Sequence, residues 1–97
     1  MKEFKLQQGK KMKVTMEDGF IIVFFYDFID IWDDEGDKTW WFSYCSGSIN
    51  SNRVDASTVR VVIGEPLSFD YYYGYGSRDT VKTETNVQNV EYLDDED

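Results

Sequence analysis

The acidic residues of this chain are the ones whose side-chain type and spacing are suited to chemistry. Eight of them, and no basic side chain, fall between Glu17 and Asp37, in the segment EDGFIIVFFYDFIDIWDDEGD. Carboxylates act as general acids and bases, as ligands for hard cations, or as contacts for a basic partner. The same segment holds the most apolar run of the chain, so it predicts a buried strand beside a strongly negative rim.

Acid–base catalysis and metal binding fit these carboxylates poorly. Asp27 and Asp30 could pair for acid–base work, but no phosphate-binding loop or nucleophile motif accompanies them. The chain has no histidine, which removes the commonest general base and metal ligand. An EF-hand-type loop fails in register, because placing Gly36 in its glycine position puts Ile31 at the first ligand position. We therefore predict no enzymatic activity, no metal site and no cofactor.

Binding of a basic protein fits the carboxylates better. The net charge of −9 disfavours direct binding to nucleic acid or to anionic membranes. Carboxylates on a rigid surface could instead take the places of phosphates on a nucleic-acid-handling protein and block its site. The alternative is that acids favour turns and keep an apolar strand soluble, which explains Asp27 and Asp30 less well because they interrupt the apolar run. The predicted partner-binding carboxylates are Asp27, Asp30, Asp33, Asp34, Glu35 and Asp37.

Aromatic residues, 18% of the chain, supply further contact candidates. The tyrosine- and glycine-rich turn that follows Tyr71 offers large contact area at low entropy cost. In the alternative interpretation, Tyr71 and Tyr73 fill the core while Tyr72 and Tyr75 cap its edge.

The pair Trp40-Trp41 adds another candidate. Adjacent strand residues point to opposite faces, so only one of the two can lie in the main core, and the sequence does not say which. Trp41, Tyr72 and Tyr75 complete the predicted partner-binding set.

Periodicity predicts an almost wholly β fold to position these residues. Lys11–Glu17 alternates, with Met12, Val14 and Met16 on one face, and Asp18-Gly19 is typical of a two-residue hairpin. Further strands are predicted at Phe20–Trp32, Lys38–Ser46 (the returning strand), Thr58–Ile63, Leu67–Tyr73 and Asp79–Leu93. Residues 1–93 then form a single all-β domain, a small barrel or sandwich of five to six antiparallel strands, SH3-like or OB-like in scale. Residues 94–97 are predicted to be an acidic disordered tail.

The strand Phe20–Trp32 carries two further expectations. Asp27 and Asp30 have opposite parity, which predicts a bulge or bend near Tyr26–Phe28. Both its even and its odd positions are apolar, so both faces should be buried, one of them in the core. Because 97 residues leave little material for a third layer, we hypothesise that a second copy of the chain covers the other face, in a homodimer. The second candidate function is accordingly a non-enzymatic structural or assembly module that homo-oligomerises.

Compartment and broad class follow from what the sequence lacks. Cys45 is the only cysteine, so no intramolecular disulfide can form. Residues 1–16 have no apolar signal-peptide region, and Phe20–Tyr26 is shorter than the roughly 20 apolar residues of a membrane span. We predict no membrane association and a cytoplasmic protein.

The small size, the acidity and the aromatic-rich β sequence are similar to those of phage-encoded inhibitors, including DNA-mimic and anti-CRISPR proteins, without a shared family motif. If the protein is phage-encoded, we expect it in the host cytoplasm.

Overall fold

The all-β fold predicted from the sequence is confirmed. The computed structural model describes residues 2–7, 10–26, 32–34, 39–45, 53–72 and 77–94, and within these ranges it contains strands and no helix. Six strands have six residues or more, which agrees with the predicted number. The strands are β1 (Glu3–Phe4), β2 (Lys10–Met16), β3 (Ile21–Tyr26), β4 (Trp32–Asp34), β5 (Thr39–Cys45), β6 (Arg53–Val62), β7 (Pro66–Tyr72) and β8 (Arg78–Asp94).

The strands form one curled sheet, a half-barrel, in the order β1-β6-β7-β8-β2-β3-β5-β4. Most neighbouring strands run antiparallel. The exception is β5, which runs parallel to β3 along its length and parallel to β6 at two residue pairs, Tyr44↔Val54 and Cys45↔Asp55. This last pairing brings the two halves of the curled sheet into contact at one end.

The predicted strand Phe20–Trp32 is two strands in the structure. β3 ends at Tyr26, and β4 begins at Trp32 and pairs antiparallel with β5. The chain therefore reverses twice between β3 and β5, which is why β5 runs parallel to β3 although it returns from β4. The bend predicted near Tyr26–Phe28 falls mostly outside the described residues.

The core lies inside the curl and follows the predicted alternation of β2. Met12, Val14 and Met16 are all buried there. Among the side chains that the structure describes, the largest fully buried ones are Phe24 of β3 and Phe69 of β7, whose rings meet edge to face with centroids 5.3 Å apart. Aromatic pairs favour this arrangement because the positive edge of one ring meets the negative face of the other.

Three consecutive residues of β3 are buried, on both faces of the strand, and Ile21 before them is half-buried. Ile22 and Phe24, on the core face, are 3% and 0% exposed, and Val23, on the opposite face, is 3% exposed. The prediction of two buried faces is confirmed for these three residues. All of this burial is provided by a single chain.

The β2–β3 hairpin has a three-residue loop in place of the predicted two-residue loop. The Met16 amide donates to the Phe20 carbonyl at 2.8 Å, so Glu17, Asp18 and Gly19 form the loop. Gly19 has a φ of 88°, the left-handed conformation that three-residue hairpin loops place at their last position. The Asp18 carboxylate accepts the Phe20 amide at 3.1 Å and fixes the start of β3.

Gly19→Ala is expected to lower the free energy of unfolding by about 1 kcal/mol, because a left-handed residue with a Cβ costs roughly 1–2 kcal/mol. A Cβ at Gly19 would meet no heavy atom within 4 Å, so the loss comes from the backbone and not from a clash. Urea unfolding measures it, with the neighbouring Glu17→Ala as the control. Equal stability of the two variants would contradict this explanation of the hairpin.

The long strand β8 bends and pairs with two neighbouring strands. Its first part pairs with β7 and its second with β2, and the register shifts in both pairings. Opposite β7, Leu67 faces three residues of β8, Thr83 to Thr85, because Pro66 pairs with Asn86 and Ser68 with Lys82. Opposite β2, Gln88 is the extra residue between Val87 and Asn89. Bulges of this kind bend a strand and increase its twist, which curls the sheet here.

The N-terminal segment is held against the end of β8 by Tyr92. The Tyr92 hydroxyl donates to the Lys5 carbonyl at 2.7 Å, and the ring lies 6.4 Å from that of Phe4. Burial raises the pKa of Tyr92, and it also raises the pKa of Tyr71. A raised tyrosine pKa means that the folded state keeps the proton longer than the unfolded state. The stability that these groups provide is therefore present below a pH of about 10 and is lost as the pH rises above it.

Tyr92→Phe is expected to cost about 1 kcal/mol of unfolding free energy at pH 7, the usual value for one hydrogen bond. The variant should also lose less stability than the wild type between pH 7 and about 10.5, because its ring has no proton to release. Urea unfolding at the two pH values measures both effects. A loss at high pH as large as that of the wild type would contradict the assignment to Tyr92.

Candidate functional site

Carboxylate-bearing residues gather at one end of the sheet. The register places Thr15, Ile21, Thr39 and Asp34 in one row across β2, β3, β5 and β4. Strands lie about 4.8 Å apart, so the row brings Asp34 to roughly 10 Å from Ile21. The cause is the double reversal between β3 and β5, which returns the chain to the level at which β3 begins.

The β2–β3 hairpin adds two carboxylates at the same end. Glu17 and Asp18 lie in the loop just beyond Thr15 and Ile21, and both are exposed. We call Glu17, Asp18, Asp33 and Asp34 the acidic end. The acidic end therefore combines the first two carboxylates of the cation-free segment Glu17–Asp37 with two of its later ones.

The strand β4 forms the outer edge of the sheet beyond β5, so Asp33 and Asp34 lie on an edge strand. Charges on an edge strand discourage pairing with another chain. That structural role is the alternative explanation for these two residues. It does not account for Glu17 and Asp18, which lie in the loop between β2 and β3, and β3 is separated from the edge strand β4 by β5.

Several predicted contact residues fall outside the described part of the chain. These are Asp27, Asp30, Glu35, Asp37 and Tyr75, and the predictions made for them stay predictions. Trp41 is described by its backbone, in β5, where it pairs with Val23 of β3 and Trp32 of β4. Its neighbour Trp40 pairs with Ile22 and Asp33.

Tyr72 is largely buried, with 7% of its surface exposed. Its hydroxyl accepts a hydrogen bond from Arg78 Nη1 at 3.0 Å, and the guanidinium carbon of Arg78 lies 5.7 Å from the ring centroid. Arg78 also pairs with Asp70 at 3.4 Å, and the hydrogen bond to Tyr72 is the main cause that raises the pKa of Arg78. Tyr72 therefore offers little area to a partner. Tyr71 is half-buried and packs against the core. The core interpretation placed Tyr71 in the core and Tyr72 at its edge, whereas Tyr72 is the more buried of the two.

A groove of about 330 Å³ beside the acidic end was not foreseen from the sequence. It lies between the β2–β3 hairpin and the Thr83–Thr85 bulge of β8, and Met16, Asp18 and Phe20 line the hairpin side. In the sequence, Val81, Thr83, Thr85 and Val87 follow the regular two-residue alternation of an unbroken strand. Only the pairing of Leu67 with three residues of β8 shows the bulge, and that pairing is not local in sequence.

Neither a metal site nor a membrane-spanning helix is found in the part of the chain that the structure describes. No three acidic or cysteine side chains there come together as ligands. None of the elements in the same ranges is a helix long and apolar enough to cross a bilayer.

Comparison of the chain with protein-family models, with curated proteins and with solved structures gives no match. The functional argument therefore depends on the acidic end, the groove and the charge of the chain.

Proposed function

We propose that this protein binds a basic, nucleic-acid-handling protein and blocks the site at which that protein holds phosphates. The observation that carries the proposal is the acidic end, where Glu17, Asp18, Asp33 and Asp34 lie together in a segment with no cation. The mechanism is competitive and non-catalytic. Carboxylates occupy arginine and lysine positions that otherwise contact phosphates.

The rigidity of a β-sheet supports this mechanism. The hydrogen-bonded sheet holds the acidic end in a fixed arrangement, which a stand-in for phosphates requires. The long-range attraction raises the association rate and selects basic partners.

Affinity in such complexes comes mainly from a few aromatic anchors. Trp41 and Tyr75 are the proposed anchors, and the remaining proposed contacts are Asp27, Asp30, Glu35 and Asp37. Composition favours an antagonist of the phage-encoded DNA-mimic or anti-CRISPR type, acting in the host cytoplasm.

The second candidate, a homo-oligomeric assembly module, has less support. It was motivated by the two apolar faces of the strand Phe20–Trp32. In β3, Ile22, Val23 and Phe24 are already buried within one chain, so this part of the strand needs no second copy. A sedimentation mass of two chains at high micromolar concentration would favour the assembly module.

Affinity capture from a bacterial lysate, followed by mass spectrometry, tests the proposed function. The tagged protein should capture a basic nucleic-acid-binding protein. Asp33→Asn, Asp34→Asn and Asp37→Asn combined should capture much less of it. Equal capture by the wild type and the triple variant would contradict a role of Asp33, Asp34 and Asp37 in binding the partner.

A further inference from the structure

We propose that the groove beside the β2–β3 hairpin receives an arginine side chain of the basic partner, an inference that rests on the proposed function. The groove has an apolar floor between two carboxylates. Met16, 1% exposed, and the half-buried Phe20 form the floor. Asp18 lines the hairpin side and Glu84 the β8 side.

The two carboxylates are placed to attract a cation. Asp18 and Glu84 are both exposed, and no ion pair joins either of them to another residue that the structure describes. One oxygen of Asp18 accepts the Phe20 amide, which holds the carboxylate at the lip and leaves its second oxygen for a ligand. A charge-assisted hydrogen bond to such an oxygen is stronger than a neutral one.

The bulge of β8 fixes the opposite wall. The Leu67 amide donates to Thr83 Oγ1 at 2.9 Å, and Thr83 Oγ1 donates to the Thr85 carbonyl at 2.9 Å. These bonds replace part of the regular ladder and hold Glu84 between two anchored threonines. The hydrogen bonds of the bulge therefore fix the backbone that carries the Glu84 carboxylate at the edge of the groove.

Arginine fits this groove better than lysine does. A guanidinium is planar, bonds two carboxylates through its fork of N–H groups, and stacks on an aromatic ring such as that of Phe20. Its aliphatic stem lies well on an apolar floor. A lysine ammonium is a compact, strongly hydrated charge that gains little from the ring or from the second carboxylate.

Lys82 allows a test of whether the groove binds a cation. It is the one cation among the described residues that line the groove. Its charge opposes an incoming guanidinium. Removing that charge by Lys82→Gln should therefore tighten binding by about twofold, since exposed charge pairs contribute roughly 0.2–1 kcal/mol. A groove that binds apolar groups alone would not respond in this way.

Nuclear magnetic resonance titration with the peptide acetyl-Gly-Arg-Gly-amide tests the proposal on the full chain. Amide signals of the hairpin and of Lys82 to Thr85 should shift, and the citrulline peptide, neutral but of the same shape, should leave them unmoved. Asp18→Asn with Glu84→Gln should weaken binding by roughly five- to tenfold. The matched control, Asp79→Asn with Glu91→Gln, removes two exposed charges elsewhere and should change binding by less than about twofold.

Three results would overturn the proposal: equal shifts with the citrulline peptide, no shift at the groove, or equal weakening by the two double variants. Failure of the proposed function is distinguishable from these outcomes. If the Asp18/Glu84 variant captures the partner as the wild type does, while the Asp33/Asp34/Asp37 variant does not, the groove inference fails and the proposed function stands. An arginine-specific shift without capture of any basic protein would overturn the function and keep the chemistry of the groove.

Discussion

Phe69→Ala is expected to lower the free energy of unfolding by about 3–5 kcal/mol, the usual cost of truncating a buried phenylalanine. Phe69 is 1% exposed and packs edge to face on Phe24 across the inside of the curled sheet. Truncation removes the buried ring and leaves a cavity that the surrounding strands fill only in part. Because domains of this size have about 5–15 kcal/mol of stability in all, the variant should have a much lower melting temperature.

Urea unfolding measures this loss, and Leu93→Ala is the matched control because Leu93 is 37% exposed. The control should lose less than about 1 kcal/mol. The Phe24→Ala variant and the double variant complete a cycle whose coupling should be about 0.5–1.5 kcal/mol. If Phe69→Ala costs no more than Leu93→Ala, Phe69 does not belong to a packed core.

Local alternation predicted much of the fold. The pattern of Met12, Val14 and Met16 gave the buried face of β2, because a half-buried strand alternates with a period of two. The gap between the predicted strands Thr58–Ile63 and Leu67–Tyr73 corresponds to the observed turn between β6 and β7, where Gly64 has a φ of 91°. Strand boundaries were predicted least well, since the apolar run after Phe20 has no turn residues to mark where β3 ends.

Pairings distant in sequence were not predictable. The parallel contact of β5 with β3 depends on β4 taking the outer position, which no local pattern encodes. One clue to the β8 bend was present in the sequence. The apolar positions change from odd to even between Val87 and Val90, on either side of the extra residue Gln88.

The sequence predicted which types of residue form the candidate site, but it predicted their positions in the fold only in part. Counting charges identified the acidic segment, but the register of four strands was needed to bring Asp34 to the level of the β2–β3 hairpin. Tyr72 was chosen because a tyrosine beside a glycine-rich turn is typical of a contact surface. Its hydrogen bond to Arg78, six residues later, is a tertiary contact that composition does not reveal.

The second large effect concerns the rate at which the partner binds. Asp33→Asn, Asp34→Asn and Asp37→Asn combined should lower the association rate by about tenfold at low salt, because electrostatic steering raises such rates by 10- to 1,000-fold. The unfolding free energy should stay within about 1 kcal/mol of the wild type. The control is Asp79→Asn, Glu91→Gln and Asp97→Asn combined, which removes the same number of charges outside the segment Glu17–Asp37 and should keep most of the rate.

The most direct test of the central claim is the association rate of the captured partner measured from about 10 mM to 200 mM salt, over which the screening length falls from about 30 Å to below 10 Å. The wild-type rate should fall steeply as salt rises, and the rate of the triple variant at Asp33, Asp34 and Asp37 should fall much less. If the two proteins show the same rate and the same dependence on salt, Asp33, Asp34 and Asp37 do not steer the partner and the central claim is contradicted.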